Sequence, residues 1–323
     1  MPFNSVISRT DAAALIPEDV SAEILANLPT MNPLMQLARK LPNMSRAQRR
    51  LPVMGTFASA YFVAGDTGLK QTSDVTWENK YIDAEELAVI VPIPEAVLDD
   101  VDFDIWAQVR PEIERALSRA ITAAVLYGTN IPASWTTNLG AAGIVAGSTA
   151  ASHTISAAAY SDLYEAILGE KANGDDGLFM LPEADGFMVS GSIAHMSMRG
   201  QLRNVRTTEG ELIFKTSMQD ASRFELDGTP LFFPTDGSMV AASSLLIAGQ
   251  WDQLVYALRQ DITYKVLDQA VIQDGAGNII YNLAQQDMVA LRAVMRLGFA
   301  LPNPPTYMNE TDATRFPFAV LTA

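Results

Sequence analysis

An α+β fold is predicted by three features of the sequence. Helix-like and strand-like segments follow one another without regular β–α alternation, which argues against a doubly wound parallel sheet. One long segment is extended and polar, and a second long segment has the apolar periodicity of a helix. No repeat or low-complexity segment interrupts this mixed pattern.

The extended segment reads "AGDTGLKQTSDVTWENKYIDAEELAVIVPIPE". Residues 75–93 alternate like a strand, and at about 3.3 Å per residue they would span roughly 60 Å, well beyond the ~17–20 Å of an ordinary strand. We interpret the region from about Ala58 to Ile93 as a hairpin with the turn "GDTG" near its tip. Its middle is too polar to form a core of its own, so we expect another molecule to cover it.

The composition narrows the class of protein. The chain has 323 residues, a net charge of −15, 49% hydrophobic residues and only 18% charged residues, so two or three domains with much hidden surface are expected. The negative net charge argues against general affinity for nucleic-acid phosphates but not against enclosing DNA.

The sequence contains no cysteine, which excludes disulfides, thiol catalysis and cysteine zinc sites. Neither a signal peptide nor a membrane-spanning run is visible, so we expect synthesis in a cytoplasm.

The first fifty residues are predicted to form an arm with helical pieces. Pro17 opens a helix in "IPEDVSAEILANL", and "PLMQLARKL" is a second helical piece. Two interpretations remain open for the basic cluster that follows, namely a contact with DNA or an acidic neighbour, and a solvated face. The cluster consists of Arg39, Lys40, Arg46, Arg49 and Arg50.

A long helix is predicted directly after the extended segment. Apolar residues recur there at steps of three and four over five turns. Pro111 marks a kink or a restart, and Gly128 ends the helix. The apolar face comprises Trp106, Val109, Ile113, Leu117, Ala120 and Ala124.

Short units are predicted from Ile131 onward. "NLGAAGIVAG" is interpreted as a loop and short strand, and "AAAYSDLYEAILGEKANG" as a helix capped by Gly174. A strand runs into a helix in "FMVSGSIAHMSMRGQLRN", and "EGELIF" and "GTPLFFP" are short strands. The run "SSLLIAGQWDQLVYALRQDITYKVL" is predicted as strand–turn–strand, and two longer strands flank the turn "QDGAGN".

Motifs for catalysis or cofactor binding are absent from the sequence. There is no phosphate-binding loop or nucleophile elbow, and "GAGNII" breaks the dinucleotide fingerprint at its last glycine. We expect His195 to be structural and His153 to be solvated in its loop. The run "DDVDFD" has the alternate acids of a calcium loop, but Ile105 and Pro111 replace the required glycine and glutamate. We therefore predict no enzyme activity, no metal and no cofactor.

The order of the segments resembles a known family. The quoted helix ends in "AVLYGT" before "LGAAGIVAG", and "DMVALRAVMRLGFALPNPPTY" lies near the end of the sequence. The chain resembles the major capsid proteins of tailed bacteriophages, with the Hong Kong-97 coat fold, and "YFVAGDTGLKQTSDVTWENK" is most similar to coats of actinobacterial phages. The resemblance implies an N-terminal arm (1–50), an extended loop hairpin (51–93), the spine helix of a peripheral domain (94–130), an axial domain (131–259), peripheral strands with a three-fold loop (260–297) and a C-terminal segment returning to the axial domain (298–323).

The resemblance also implies the function and the partners. The chain would form hexamers and pentamers of an icosahedral virion capsid that encloses double-stranded DNA without sequence-specific binding. It would be assembled in the host cytoplasm with a scaffolding protein and a portal and no membrane, and the presence of decoration proteins is left open. The hairpin would lie across a neighbouring subunit, although Tyr61 and Phe62 have the alternative of packing within their own hairpin. The candidate contact residues are Tyr61, Phe62, Lys70, Trp77, Gln273, Asp274 and Asn278.

Some members of this family join subunits by an isopeptide bond between a lysine and an asparagine, promoted by a glutamate. The resemblance places Lys70 at the lysine, Asp287 at the asparagine and Val294 at the glutamate. A carboxylate has no amide leaving group and valine moves no proton, so we predict a shell without crosslinks. With fewer than sixty residues before the hairpin, we expect a separate scaffolding protein; the alternative is a coat already trimmed of its own scaffolding domain. Two alternatives remain: an encapsulin-type shell, and a carboxylate-based cytoplasmic hydrolase.

Overall fold

The computed structural model describes residues 33–63, 68–100, 105–169, 176–205 and 224–323. Eight α-helices lie in these ranges: α1 (Pro33–Leu37), α2 (Glu95–Asp100), α3 (Ile105–Tyr127), α4 (Ala133–Leu139), α5 (Ile144–Ala150), α6 (Leu163–Leu168), α7 (Met180–Ala184) and α8 (Met196–Asn204). Fourteen strands accompany them: β1 (Arg39–Lys40), β2 (Gln48–Met54), β3 (Trp77–Asp83), β4 (Glu85–Pro94), β5 (Thr154–Ser156), β6 (Gly191–Ala194), β7 (Glu225–Leu226), β8 (Thr229–Phe232), β9 (Leu246–Gly249), β10 (Val255–Leu267), β11 (Val271–Gln273), β12 (Ile279–Asn282), β13 (Met288–Ala300) and β14 (Phe318–Thr322).

Two larger sheets organise the chain. The first has four strands in the order β1-β10-β13-β4, and the second has six strands in the order β5-β14-β9-β6-β8-β7. Two further pairs, β2-β3 and β11-β12, form separate two-stranded sheets. Strands and helices therefore mix without β–α alternation, in agreement with the predicted α+β class.

The long helix α3 covers one face of the four-stranded sheet. The predicted apolar face is confirmed at its centre, where Ile113 and Leu117 are buried in the same cluster as Leu291 and Met295 of β13. Pro111 lies inside α3, and the helix continues through it without a restart. Pro111 is the seventh residue of α3 and costs one helical hydrogen bond, and the packing of the buried helix face on the sheet stabilises the element despite that loss.

The six-stranded sheet brings the last strand, β14, into the middle of the fold. β14 pairs with β9 antiparallel and with β5 parallel. Trp251 is buried beneath it, donates from Nε1 to the Gly191 carbonyl at 2.9 Å and meets the Phe318 ring edge-on at 4.9 Å. The strand–turn–strand prediction for residues 243–267 is confirmed by β9 and β10.

The strand predicted in "NLGAAGIVAG" is wrong, because residues 144–150 form the helix α5. Gly143, with φ of +93°, starts that helix in a backbone conformation that favours glycine. Gly147 then lets the Phe316 ring approach, since a Cβ there would lie 2.4 Å from Cζ of Phe316. The β-branched pair Ile144–Val145 suggested a strand, but tertiary packing outweighs that local propensity.

Two further boundaries differ from the prediction. Helix α6 ends at Gly169, with φ of +97°, whereas the predicted cap Gly174 lies outside the described residues. The strands flanking "QDGAGN" are the short β11 and β12, and the long strands β10 and β13 instead pair with each other. In the first fifty residues, α1 ends at Leu37 and the chain enters the short strand β1.

The extended hairpin also has different limits. β2 pairs with β3 from Gln48 opposite Asp83 to Met54 opposite Trp77, so the hairpin occupies residues 48–83 rather than 58–93. Residues 85–94 form β4, which pairs along its length with β13. The single predicted strand is thus two strands separated by Ala84, and only the distant partner β13 decides which sheet the second one joins.

Some predicted features fall outside the described ranges. These are the helix at Pro17, the strand "EGELIF" and residues 65–67 of the turn "GDTG". Among the helices that the structure describes, none combines the length and the apolar character needed to cross a membrane.

Candidate intersubunit surfaces

The two-stranded extension of residues 48–83, here called the ribbon, is anchored at its base. Ile82 is completely buried, and the Asp83 carbonyl accepts a hydrogen bond from Trp135 Nε1 at 3.1 Å. The Asp83 carboxylate accepts a second bond from Asn138 Nδ2 at 3.0 Å. Gly298 permits this close approach, since a Cβ there would lie 2.5 Å from the Asp83 carbonyl oxygen. The base is therefore a fixed part of the body.

The two arms of the ribbon stay together beyond the end of the strand ladder. The hydroxyls of Thr56 and Thr76 lie 3.0 Å apart, and the Ser59 N–H donates to Ser73 Oγ at 2.8 Å. The Tyr61 hydroxyl donates to the Gln71 carbonyl at 3.1 Å. These side-chain bonds hold a narrow hairpin that has no apolar core of its own.

The outer part of the ribbon exposes large apolar side chains. Phe62 is fully exposed, and Leu69 and Trp77 are 89% and 70% exposed. Tyr61 is half-exposed and bonds within the hairpin, whereas Lys70 is exposed. An exposed apolar cluster on a narrow extension is typical of a surface that another molecule covers.

One aromatic contact joins the middle of the ribbon to the body. The Phe57 ring stacks on the Tyr307 ring with centroids 4.1 Å apart, although Tyr307 itself is 81% exposed. Below this contact, Lys80 and Arg315 line a cavity of about 430 Å³ between the ribbon base and the C-terminal segment. Among its described residues, the ribbon thus touches its own subunit at its base and at Phe57, and Phe62 and Leu69 farther out are exposed.

The turn of residues 273–278 between β11 and β12 is a second exposed feature. Asp274 organises it: its carboxylate accepts from the Ala276 and Asn278 N–H groups at 2.9 and 2.8 Å and from Asn278 Nδ2 at 3.0 Å. These bonds, those of Asn278 first, hold the pKa of Asp274 below its ordinary value. The stabilisation is present at neutral pH and is lost as the pH falls through that lowered pKa.

The flanks of this turn are apolar and exposed. Ile279 and Ile280 are 63% and 49% exposed, and Gln273 pairs with Ile279 at the end of the short ladder. A rigid turn that presents exposed isoleucines has the character of a protein contact rather than of a solvated loop.

The residues at the crosslinking positions are placed on separate elements. Asp287 lies in the turn before β13 with φ of +48°, and Val294 lies within β13 opposite Thr263. Neither supplies an amide leaving group or a proton-accepting side chain. The structure therefore adds no chemistry for an isopeptide bond at these positions.

The two histidines have structural surroundings. The prediction that His153 is solvated is wrong: it is 6% exposed, with Nε2 3.3 Å from Asp185 Oδ2 and Nδ1 3.3 Å from the Phe318 carbonyl. His195 caps α8, where its Nδ1 accepts from the Ser197 N–H at 3.2 Å, as the structural interpretation predicted. No local motif links His153 to Asp185, so sequence reasoning had no signal for the pair.

No group of metal-binding side chains is found within the described ranges. Asp100 ends α2, whereas Asp102 and Asp104 lie outside the described residues, so the absence of a metal site in the acidic run stays a prediction.

Comparisons with known proteins agree on one family. The pattern of the phage capsid family matches residues 12–305 of the chain. The chain is 26% identical over 301 residues to the major capsid protein of Staphylococcus phage 80alpha, covering 92% of this chain and 85% of that one.

Solved structures extend the likeness to the fold. A chain from Microbacterium phage Oxtober96 is 30% identical, with a TM-score of 0.81 over 98% of this chain and 99% of that one. A chain from Mycobacterium phage Adephagia is also 30% identical, with a TM-score of 0.79 over 98% of each chain.

Proposed function

The chain belongs to the phage capsid family, and on that premise we propose that its copies form the hexamers and pentamers of an icosahedral head. It is a structural protein with the α+β coat fold of its phage relatives. The similarity to these phage proteins does not favour the two alternatives, a hydrolase and an encapsulin-type shell. The observation that carries the proposal is the ribbon, which is fixed at its base and exposes Phe62, Leu69 and Trp77.

The proposed contacts follow from this geometry. The outer ribbon, with Tyr61, Phe62, Lys70 and Trp77, lies across the neighbouring subunit of the same capsomer. The turn with Gln273, Asp274 and Asn278 meets other copies at three-fold positions. Such wrapping would raise the area buried per subunit beyond the roughly 1,600 Å² of an ordinary interface.

The proposed domains build on the two sheets. The four-stranded sheet with α3 supports a peripheral domain, and the six-stranded sheet supports an axial domain to which the segment 298–323 returns. We move the limits of the extended loop from 51–93 to 48–83, because β4 belongs to the four-stranded sheet.

The proposed partners are those of a phage head. Double-stranded DNA is enclosed without sequence-specific binding, and the net charge of −15 keeps the wall from adhering to it. A scaffolding protein and a portal complete the particle, and decoration proteins on its outside are an open alternative. The chain belongs to the virion, and we propose that the particle is assembled in the host cytoplasm.

Expression of the chain alone tests the proposal. Negative-stain microscopy is expected to show closed or tubular assemblies, whose size and contents separate a phage shell from an enzyme-filled compartment. Light scattering that reports only monomers or dimers at micromolar concentration, with no particles in the images, contradicts it.

The shell is predicted to contain no covalent bond between subunits, because Asp287 and Val294 lack the required chemistry. Particles boiled in detergent should give a single band near 35.0 kDa on a denaturing gel. A ladder of covalent oligomers contradicts this prediction, and mass spectrometry of the ladder would locate the bond.

A further inference from the structure

Within the described residues, the four-stranded sheet is covered along one face and only in part on the other. Helix α3 packs against the face with Leu291, Ala293 and Met295. On the opposite face, Ile82 of the ribbon base packs at one end, against Val255 and Ala300. The exposed remainder of that side, here called the open face, is formed by Ala88 and Ile90 of β4, Arg292 of β13, and Thr263 and Lys265 of β10, whereas Ala290 and Val294 on the same side of β13 are buried.

Two cations lie directly opposite each other on the open face. Lys265 of β10 is the register partner of Arg292 of β13, and both side chains are exposed. Like charges at opposed positions of an antiparallel pair destabilise the sheet. Neither forms an ion pair within the described residues, whereas the next cation, Arg296, is paired with Glu86. An incoming carboxylate would relieve this repulsion.

The ribbon carries a suitable carboxylate. Glu78 pairs with Lys80 at 3.7 Å, and Asp83 is held by Asn138 at the base. Among the described ribbon residues this leaves Asp74, which is exposed and lies between the apolar Leu69 and Trp77. The open face offers apolar surface to match, since Ile90 beside Arg292 is 42% exposed.

The lengths of the two surfaces are compatible. From Trp77 to the tip the ribbon extends about a dozen residues, or roughly 40 Å at about 3.3 Å per residue. The strands β10 and β13 have 13 residues each, which is about the same length, and four strands are under ~20 Å wide. The ribbon of one copy is therefore long enough to cross the open face of the next.

We propose that the open face is the seat for the outer ribbon of a neighbouring copy, with Asp74 placed between Lys265 and Arg292. Phe62 and Leu69 cover Ile90 and Ala88 beside this charge triad. This inference rests on the proposed shell function and adds the residues that set the register of the contact. DNA is the less suitable occupant, because the cations are few and apolar side chains adjoin them.

Charge reversal at Arg292 tests the triad, because it should leave the subunit as stable as before, or more stable, while it weakens assembly. Arg292→Asp converts the repulsion with Lys265 into attraction, so the melting temperature of the unassembled subunit should stay constant or rise. The concentration needed for assembly, followed by light scattering and sedimentation, should rise at least about tenfold. Asp74→Arg should raise the concentration needed for assembly to a similar extent, and because Asp74 is exposed on the ribbon its replacement should not affect folding.

Combining the two reversals separates pairing from general charge effects. The double variant Asp74→Arg with Arg292→Asp should return to within about threefold of the unmodified chain. Arg203→Asp, an equal charge change at an exposed position on α8, should have no effect on assembly. Unchanged assembly of both single variants overturns the triad while leaving the shell function standing. Single variants that assemble normally but contain less DNA also overturn the triad, because the cations would then bind DNA. Failure of the unmodified chain to assemble counts against the shell function itself.

Discussion

Excising residues 57–75 and joining Thr56 to Thr76 through an Asn-Gly turn is expected to abolish shell assembly and to leave a folded subunit. The two threonine hydroxyls already lie 3.0 Å apart at the end of the β2–β3 ladder. Asn-Gly favours the tight turn that closes such a hairpin. The described residues of the excised part contribute nothing to the buried clusters, and their aromatic contact with the body is the stacking of Phe57 on Tyr307.

The expected effect is large because each subunit loses the ribbon it extends and the one it receives. Burial of Phe62 and Leu69 alone is worth about 1.5–3 kcal/mol each, so their loss corresponds to a hundredfold or greater rise in the assembly concentration. Size-exclusion chromatography with light scattering should show subunits or small oligomers, and microscopy should show no shells. A circular-dichroism melting curve checks that the shortened subunit is folded.

A full-length pair of variants controls for the change in chain length. Phe62→Ser with Leu69→Ser keeps the hairpin and should weaken assembly in the same direction. Phe62→Leu with Leu69→Met preserves most of the apolar area and should assemble normally. Shells formed by the shortened chain at the usual concentration would show that the ribbon is dispensable.

Local periodicity explains which elements the sequence could predict. The spacing of Ile113 and Leu117 and the turn around Gly277 are set within one or two turns of chain, and both are found where expected. The limits of the ribbon were missed because residues 77–83 and 85–94 have equally strong strand character. Only pairing with β13, about two hundred residues away, separates them.

The contact residues could be nominated from sequence, but their arrangement could not. An aromatic residue such as Phe62 looks the same whether a core or a neighbour covers it, and only the fold shows that it is fully exposed. The opposition of Lys265 and Arg292 depends on the β10–β13 register, which contains two irregularities. The burial of His153 likewise depends on Asp185, which reaches it through tertiary packing.

Replacing Asp185 with alanine is expected to destabilise the subunit by about 3–5 kcal/mol. The buried carboxylate accepts from Asn309 Nδ2 at 2.7 Å and from the Phe316 N–H at 2.9 Å, and it lies 3.3 Å from His153 Nε2. Alanine leaves these largely buried polar groups without their acceptor, which costs the desolvation free energy of each unsatisfied donor. It also removes negative charge that favours the protonated form of Arg315, whose pKa burial lowers.

The measurement is best made in the shortened chain, which stays unassembled. Thermal unfolding followed by circular dichroism should show a melting temperature lower by roughly 6–20 °C. Asp312→Asn is the matched control: Asp312 also bonds Arg315, at 3.1 Å, but it is 70% exposed, so its loss should cost under about 1 kcal/mol.

The loss of unfolding free energy in Asp185→Ala shows which interaction anchors residues 303–316 to the body of the subunit. Two interactions compete: the polar network centred on the carboxylate, and the packing of Phe316 over Gly147. A large loss for Asp185→Ala with a smaller one for Asp185→Asn, which retains one acceptor for the Phe316 N–H, identifies the network. Losses under about 1 kcal/mol for both variants would assign the anchoring to the aromatic contact, and Phe316→Ala would then be the more damaging change.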